Sequence, residues 1–167
     1  MAPFKTMMKY DTNSLRRQDR ALPETDARRL LHSAHYGILC LQDTNGGGYG
    51  IPLNYAWDGA DTLYMHCAGE GHKLDCLRQE PRATFVLTGD NSILPAKFST
   101  AYESVLVHGI AKIVETEDEK FRALQLLIQK LTPQEQARGD EYIARAIHAT
   151  TVIRFSMNHI CGKAHRA

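Results

Sequence analysis

Short stretches with strand-like alternation dominate this chain, and no regular alternation of strands with helices accompanies them. Three such stretches, 36–42, 49–57 and 62–67, follow one another and are separated by turn-forming residues. Two more, 82–88 and the long stretch 102–115, have the same pattern. Parallel sheets need helical crossovers between strands, and no GxGxxG follows a strand here. The sequence therefore predicts a mainly β fold, an antiparallel barrel with peripheral helices.

The predicted helices lie before, within and after these strands. One covers about 23–33, and a short one covers about 72–79. The stretch 116–119 has the Thr-x-x-Glu spacing of a capping box, in which side chains satisfy the first free amides of a helix. A second box, with Pro133 at the first helical position, opens another helix that ends near His148.

Prolines and glycines refine the predicted sheet. The first three strands are predicted to form an antiparallel meander, and Pro52 favours an edge position or a bulge. The stretch 89–99 is predicted to be a polar loop, and Gly109 to mark a bend in the strand that follows. A last strand is predicted at 149–157.

Length and charge narrow the class of protein. The chain has 167 residues, which suits a single domain, predicted at 21–167 behind a flexible N-terminal arm at 1–20. A net charge of +1 gives no basic excess for nucleic acid. No apolar run approaches the roughly 20 residues of a membrane helix, and the N-terminus lacks the apolar core of a signal peptide. We therefore expect a cytoplasmic protein whose partner is a small molecule or a second copy of the chain.

The cysteines do not suggest a metal site. The four cysteines lie far apart without a CxxC pair, which favours reduced, buried thiols. Structural zinc sites use paired ligands at short spacing. The loose group of His66, Cys67, His72 and Cys76 lacks that spacing, so no metal is predicted.

The stretch 64–73 carries the strongest chemical signal. A strand ends, small residues follow, and a helix begins at Gly71-His72-Lys73. A basic residue at a helix N-terminus is unfavourable unless an anion binds there, because the helix dipole is already positive. Free amides, a glycine that allows close approach and an ammonium together describe a phosphate site. From the residues alone, a solvated surface lysine remains the alternative.

Four segments, in the same order, resemble the pyridoxamine-phosphate-oxidase-like flavoproteins. The stretch 64–73 is similar to the Y-x-H-x-A-x-x-G-x-K pattern of the nitroimidazole-resistance (Nim) branch. The stretch 102–109 resembles the family's Y-x-S-V-x-x-x-G strand, 51–55 its flavin-flanking strand, and 162–163 its ending. The resemblance covers about residues 20 to 163 and implies an FMN-binding split β-barrel.

The resemblance also implies the residues of the site. Gly71, His72 and Lys73 match the phosphate-binding turn, and the backbone of Leu53–Tyr55 matches the strand that lines the isoalloxazine. Where this chain has His72, the family often has a second basic residue, so we expect FMN affinity to depend on pH. Family members are homodimers with FMN at the subunit interface. The implied cofactor contacts are Leu53, Asn54, Tyr55, His66, Cys67, Gly71, His72, Lys73, Tyr102 and Ser104.

The expected function is that of an FMN-dependent oxidoreductase. The resemblance implies a 5-nitroimidazole as electron acceptor, as in antibiotic resistance. It also implies that His66 is a proton donor or a substrate contact. The alternative is that His66 is a hydrogen-bonded histidine at the barrel rim. Other possibilities are a flavin-storage protein without turnover, or a barrel for haem or deazaflavin F420. A haem would need an axial ligand such as His66 or His159. Oxidation of pyridoxamine phosphate is disfavoured, because the dense arginine set for a second phosphate is missing.

Overall fold

The computed structural model describes residues 8–166 and contains one sheet curled into a split β-barrel. Neighbouring strands follow the order β3-β2-β6-β7-β8-β5-β4, all antiparallel, and β1 pairs with β8 in parallel. The strands are β1 (Lys9–Tyr10), β2 (Tyr36–Gln42), β3 (Gly48–Asn54), β4 (Ala56–Trp57), β5 (Thr62–Ala68), β6 (Arg82–Leu94), β7 (Ser99–Ile113) and β8 (Thr150–His165).

Within residues 8–166, four α-helices lie around the barrel. The eight-stranded sheet confirms the predicted mainly β fold with peripheral helices. Single turns of 3-10 helix lie at Gln18–Arg20, Pro95–Lys97, Pro133–Glu135 and Ile147–Ala149. No helix within residues 8–166 has the length and apolar character needed to cross a membrane. The α-helices are α1 (Glu24–Ser33), α2 (His72–Gln79), α3 (Glu117–Leu131) and α4 (Gln136–Ala146).

Helices and strands whose ends are marked by local sequence signals lie where they were predicted. α1 buries Ala27, Leu30 and Leu31, whose spacing of three and four residues makes a single apolar stripe. β2 and α2 have the predicted extents. Pro52 lies in β3, which pairs only with β2, so the predicted edge position is confirmed.

Three strand predictions are wrong in extent or connection. The predicted meander is interrupted at Tyr55, because β3 and β4 lie at opposite ends of the strand order. The predicted loop at 89–99 is mostly strand, since β6 and β7 remain paired from Asn91↔Tyr102 onwards after a register shift. β8 extends past the predicted end, and the bend at Gly109 is confirmed as a shift in its pairing with β7.

The first capping box locates its helix correctly, because α3 begins directly after Thr116. After the second box, Pro133–Glu135 forms a 3-10 turn, and α4 begins only at Gln136. Neither threonine makes the expected side-chain cap within the described residues. Glu119, the expected reciprocal partner, instead accepts hydrogen bonds from Tyr64 Oη (3.1 Å) and Arg154 Nη1 (3.2 Å). A charge-assisted bond to arginine is stronger than one to a neutral amide, so the tertiary contact takes the carboxylate.

The expected free arm is docked over the part that the structure describes. Residues 1–7 lie outside the described chain, and the prediction for them stays untested. From Lys9 onwards the segment pairs with β8, and Asp11 donates its backbone N–H to Ile160 O (3.0 Å). The phenol of Tyr10 donates to the carbonyl of Leu22. These bonds tie Lys9–Asp11 to the sheet and to Leu22.

Two apolar clusters position the candidate site. One fills the barrel and includes Tyr55 and Phe85. The other lies between the outer surface of the barrel and the pair α3–α4, and it includes Val152 and Ile143. Because side chains of a strand alternate, β5 sends Met65 into the barrel and His66 towards the helices.

Candidate functional site

The turn between β5 and α2 has the features of an anion site. Gly71 has φ of +131°, a conformation that L side chains rarely adopt, and no side chain caps the start of α2. A Cβ added at Gly71 would lie 3.9 Å from Lys73 Nζ, so the ammonium folds back over the turn. Free helix amides and an ammonium thus converge at one place, as an anion requires.

His72 does not join this arrangement. Its Nε2 lies 3.0 Å from Asp43 Oδ2, its ring meets Tyr49 edge-on at 4.8 Å, and Cys76 Sγ is 3.6 Å away. The hydrogen bond with His72 is the main cause of the lowered pKa of the Asp43 carboxyl. Among residues 8–166, Lys73 has no carboxylate partner. Lys73, rather than His72, is therefore the cation available to a bound anion.

Cys67 and His66 lie side by side in sequence but on opposite faces of β5. Cys67 packs against the barrel cluster, and burial raises the pKa of its thiol more than the nearby charge of Lys73 lowers it. The thiol is therefore protonated at neutral pH. His66 faces away from the barrel, so the two residues do not meet one ligand from the same side.

His66 lies at the wall of a cavity of about 250 Å³ between β5 and the helices α3 and α4. Its ring has no hydrogen-bond partner among the described residues, and desolvation lowers its pKa. The imidazole is thus neutral at pH 7, which favours a hydrogen-bonding role over proton donation by an imidazolium. Other residues that line the cavity are Leu127, Leu131, Tyr142, Ile143 and Thr150.

Tyr102 and Ser104 form part of a second cationic group on the outer face of the sheet. Lys163 Nζ lies 5.9 Å from the centroid of the Tyr102 ring, and Ser104 Oγ donates to Lys163 O at 3.4 Å. Arg20 also reaches the phenol, and its Nε is buried without a hydrogen-bond partner in the described chain. Burial acts to raise the pKa of Tyr102, but the bonds from Arg20 and Lys163 outweigh it, and the pKa is lowered.

Arg20 was not among the sequence-predicted site residues. It lies in the segment expected to be a free arm, and no local pattern links it to Tyr102. Lys163 belongs to the Gly162-Lys163 ending noted above, but its position over Tyr102 depends on the pairing of β7 with β8. Only the tertiary structure brings the two cations together.

The Gly71–Lys73 turn and the cationic group at Tyr102 lie in different parts of the same chain. Cys67, next to the Gly71 turn, pairs with Thr151 at the start of β8, whereas Ser104 pairs with Lys163 near its end. Positions 151 and 163 span roughly 40 Å of strand at about 3.3 Å per residue, less its curvature. The two groups therefore lie towards opposite ends of β8.

The remaining predicted contacts, Leu53–Tyr55, offer backbone rather than side chains. Tyr55 is fully buried, and its phenol donates to Leu31 O at 2.6 Å. Asn54 Nδ2 donates to His35 O at 3.0 Å. Since β3 is an edge strand, the backbone groups on its free side are available to a ligand.

Comparisons with known proteins agree with this architecture. A family model described as "Pyridoxamine 5'-phosphate oxidase" matches residues 23–164. No curated protein has a significant match to the sequence. A candidate 5-nitroimidazole antibiotic resistance protein from Bacteroides thetaiotaomicron has a similar structure (TM-score 0.74, 20% identity, 86% of each chain covered).

Two further similar structures have larger chains. A flavocytochrome from Azotobacter vinelandii has a TM-score of 0.78 and 20% identity, over 93% of this chain and 74% of the other. An FAD- and haem-binding protein from Mycobacterium smegmatis has a TM-score of 0.74 and 18% identity, over 88% and 73%. At these identities the likeness establishes the split-barrel fold.

Proposed function

The chain belongs to the pyridoxamine 5'-phosphate oxidase family, and on that premise we propose that it is an FMN-dependent oxidoreductase acting on a small, neutral ring compound. The observation that carries the proposal is the turn after β5. Gly71 and the uncapped start of α2 offer backbone N–H groups, and Lys73 offers an unpaired ammonium. A phosphate dianion matches that set of donors.

The flavin ring would rest against β3. Leu53 and Asn54 lie on this edge strand, whose free backbone donors and acceptors suit the heteroatoms of an isoalloxazine. The residues of the chain bind and orient the cofactor, while a bound flavin supplies the electron transfer.

We further propose that the working unit is a homodimer with the cofactor at the interface. Within one chain, the turn that carries Lys73 lies near the start of β8, and Lys163 lies near its end. A second copy brings its own outer face, with Arg20 and Tyr102, to the flavin held by the first. The buried, unsatisfied Nε of Arg20 supports this idea, since such a donor is costly without an acceptor.

The acceptor would bind beside His66. The cavity there is lined mainly by apolar side chains. The imidazole of His66 at its wall is neutral and has no hydrogen-bond partner among the described residues. These features suit an uncharged aromatic compound that can form a hydrogen bond with His66. A 5-nitroimidazole, the compound in the description of the Bacteroides thetaiotaomicron protein, fits that description.

Titration of the apoprotein with FMN tests the cofactor assignment. Lys73→Ala should weaken FMN binding by about 1.5–3 kcal/mol, the range for a hydrogen bond to a charged group, or roughly 10- to 150-fold in Kd. Lys97→Ala is the matched control, because Lys97 is exposed and lies in the turn between β6 and β7. A protein that takes up no FMN, or a Kd unchanged by Lys73→Ala, contradicts the assignment.

A second measurement separates turnover from storage. The flavin-loaded protein is mixed with NADH or NADPH without oxygen, and bleaching of the flavin absorbance is followed. Bleaching, and its reversal by a 5-nitroimidazole, are expected for an oxidoreductase. If neither nicotinamide donor bleaches the flavin, the storage protein is the better assignment.

Haem binding is the second candidate function. The descriptions of two similar structures name a flavocytochrome and a haem-binding protein. His66 is an unpartnered imidazole, as an axial ligand must be, whereas His159 Nε2 is already 3.1 Å from Asp11 O. The cavity at His66, about 250 Å³, is small for a macrocycle, so α3 and α4 would have to move apart. A Soret band after addition of haemin, lost in His66→Ala, would support this candidate.

A further inference from the structure

A second cavity, of about 440 Å³, lies on the other side of α3 from the cavity at His66. It is bordered by the end of α1, by β4 and by α3, and no residue predicted to contact FMN lines it. Its mouth is polar and exposed. The residues that define it include His32, Ser33, His35, Trp57, Gln129 and Lys130.

Lys130 is the unusual member of this group. Its Nζ is buried and has no hydrogen-bond partner in the described chain. The ammonium lies 3.6 Å from the centroid of the Tyr55 ring, a cation–π contact that satisfies none of its N–H donors individually. No charged neighbour among residues 8–166 compensates the ammonium, and burial alone lowers the pKa of Lys130 to about 8.

A desolvated lysine beside a cavity is chemically distinct from a surface lysine. The neutral amine is the nucleophile, and at neutral pH a lysine with a pKa near 8 holds far more of it than an exposed lysine does. The flexible side chain has four rotatable bonds to carry the amine from the Tyr55 ring into the adjoining cavity.

We propose that the cavity at Lys130 is a covalent binding site for a small aldehyde or ketone. The amine nitrogen attacks the carbonyl carbon, a C=N bond forms, and the carbonyl oxygen leaves as water with the two amine hydrogens. No oxidant or reductant is consumed, and the step is reversible. His32 and His35 line the same cavity, and their imidazoles would exchange protons during the loss of water. The proposal is independent of flavin binding.

Reductive trapping tests the site on the full-length protein. The protein is incubated with benzaldehyde and cyanoborohydride, and the modified lysines are identified and quantified by peptide mass spectrometry. The exposed Lys97 and Lys112 are internal references in the same sample. At pH 7 we expect Lys130 to be labelled on the order of 100-fold more than either reference, from the fractions of neutral amine. At pH 9 the ratio should fall about tenfold.

Two variants show whether the cavity is used. Gln129→Trp places an indole at the exposed mouth and should abolish labelling of Lys130 while leaving Lys97 unchanged. Gln134→Trp, exposed and outside the cavity, is the matched control and should have no effect. Labelling of Lys130 at the level of Lys97, or equal labelling in Gln129→Trp and wild type, would overturn the proposal.

Discussion

Replacing Lys130 by methionine should stabilise the protein at neutral pH. The side chain is half-buried, and within the part of the chain that the structure describes its ammonium has no partner except the face of the Tyr55 ring. Methionine keeps the length and flexibility of the chain and makes its own favourable sulfur–aromatic contact. The substitution therefore removes the cost of a desolvated charge and retains most of the packing.

The size of the effect follows from the pKa of Lys130, lowered from 10.5 to about 8. Such a shift corresponds to about 3.4 kcal/mol if undiminished, and solvent screening of a half-buried group reduces this to about 2 kcal/mol. Below pH 8 the folded and unfolded chains both hold the proton, so the full cost is present. Between about pH 8 and 10.5 the unfolded chain binds more protons, so stability rises with pH, and above 10.5 the cost has gone.

Urea unfolding of wild type and Lys130→Met at several pH values measures this directly. The variant should be about 1–2 kcal/mol more stable at pH 7, after loss of the cation–π contact, and the difference should vanish near pH 10.5. Comparison at each pH cancels the titration of other groups. Lys112→Met, at an exposed position of β7, should show no such trend. A stability difference that is constant from pH 7 to 10.5 would refute the reasoning.

Two further predictions concern the strand β7. A Cβ added at Gly109 would lie 2.1 Å from Ser156 O. Gly109→Ala should therefore destabilise the fold by at least about 2 kcal/mol, as measured by thermal unfolding. The control Gly48→Ala adds a methyl group in open space and should not destabilise the fold. Equal stability of the Gly109→Ala and Gly48→Ala variants would show that β7 and β8 do not approach each other closely at Gly109. Tyr102 should ionise below the usual pKa of tyrosine, and Lys163→Gln should raise that pKa, as followed by tyrosinate absorbance. An unchanged titration in Lys163→Gln would mean that the ammonium does not act on the phenol.

The sequence by itself determined the class of fold and the position of the turn that precedes α2. The start of α2 at His72 follows from the small flexible residues before it, and its end from Pro81. Such signals act within a few residues through backbone sterics, so they are legible without the rest of the chain. The expectation of a phosphate site at Gly71 and Lys73 arose from the same local pattern.

Only the tertiary structure decided which side chains meet. His72 is paired with Asp43, 29 positions away in sequence, a contact that no local pattern predicts. The pairing of β7 with β8 brings Lys163 beside Tyr102, and the packing of α3 on the barrel buries the amine of Lys130. Register and burial are set by contacts between distant segments, and these depend on how the whole apolar pattern packs rather than on any local motif.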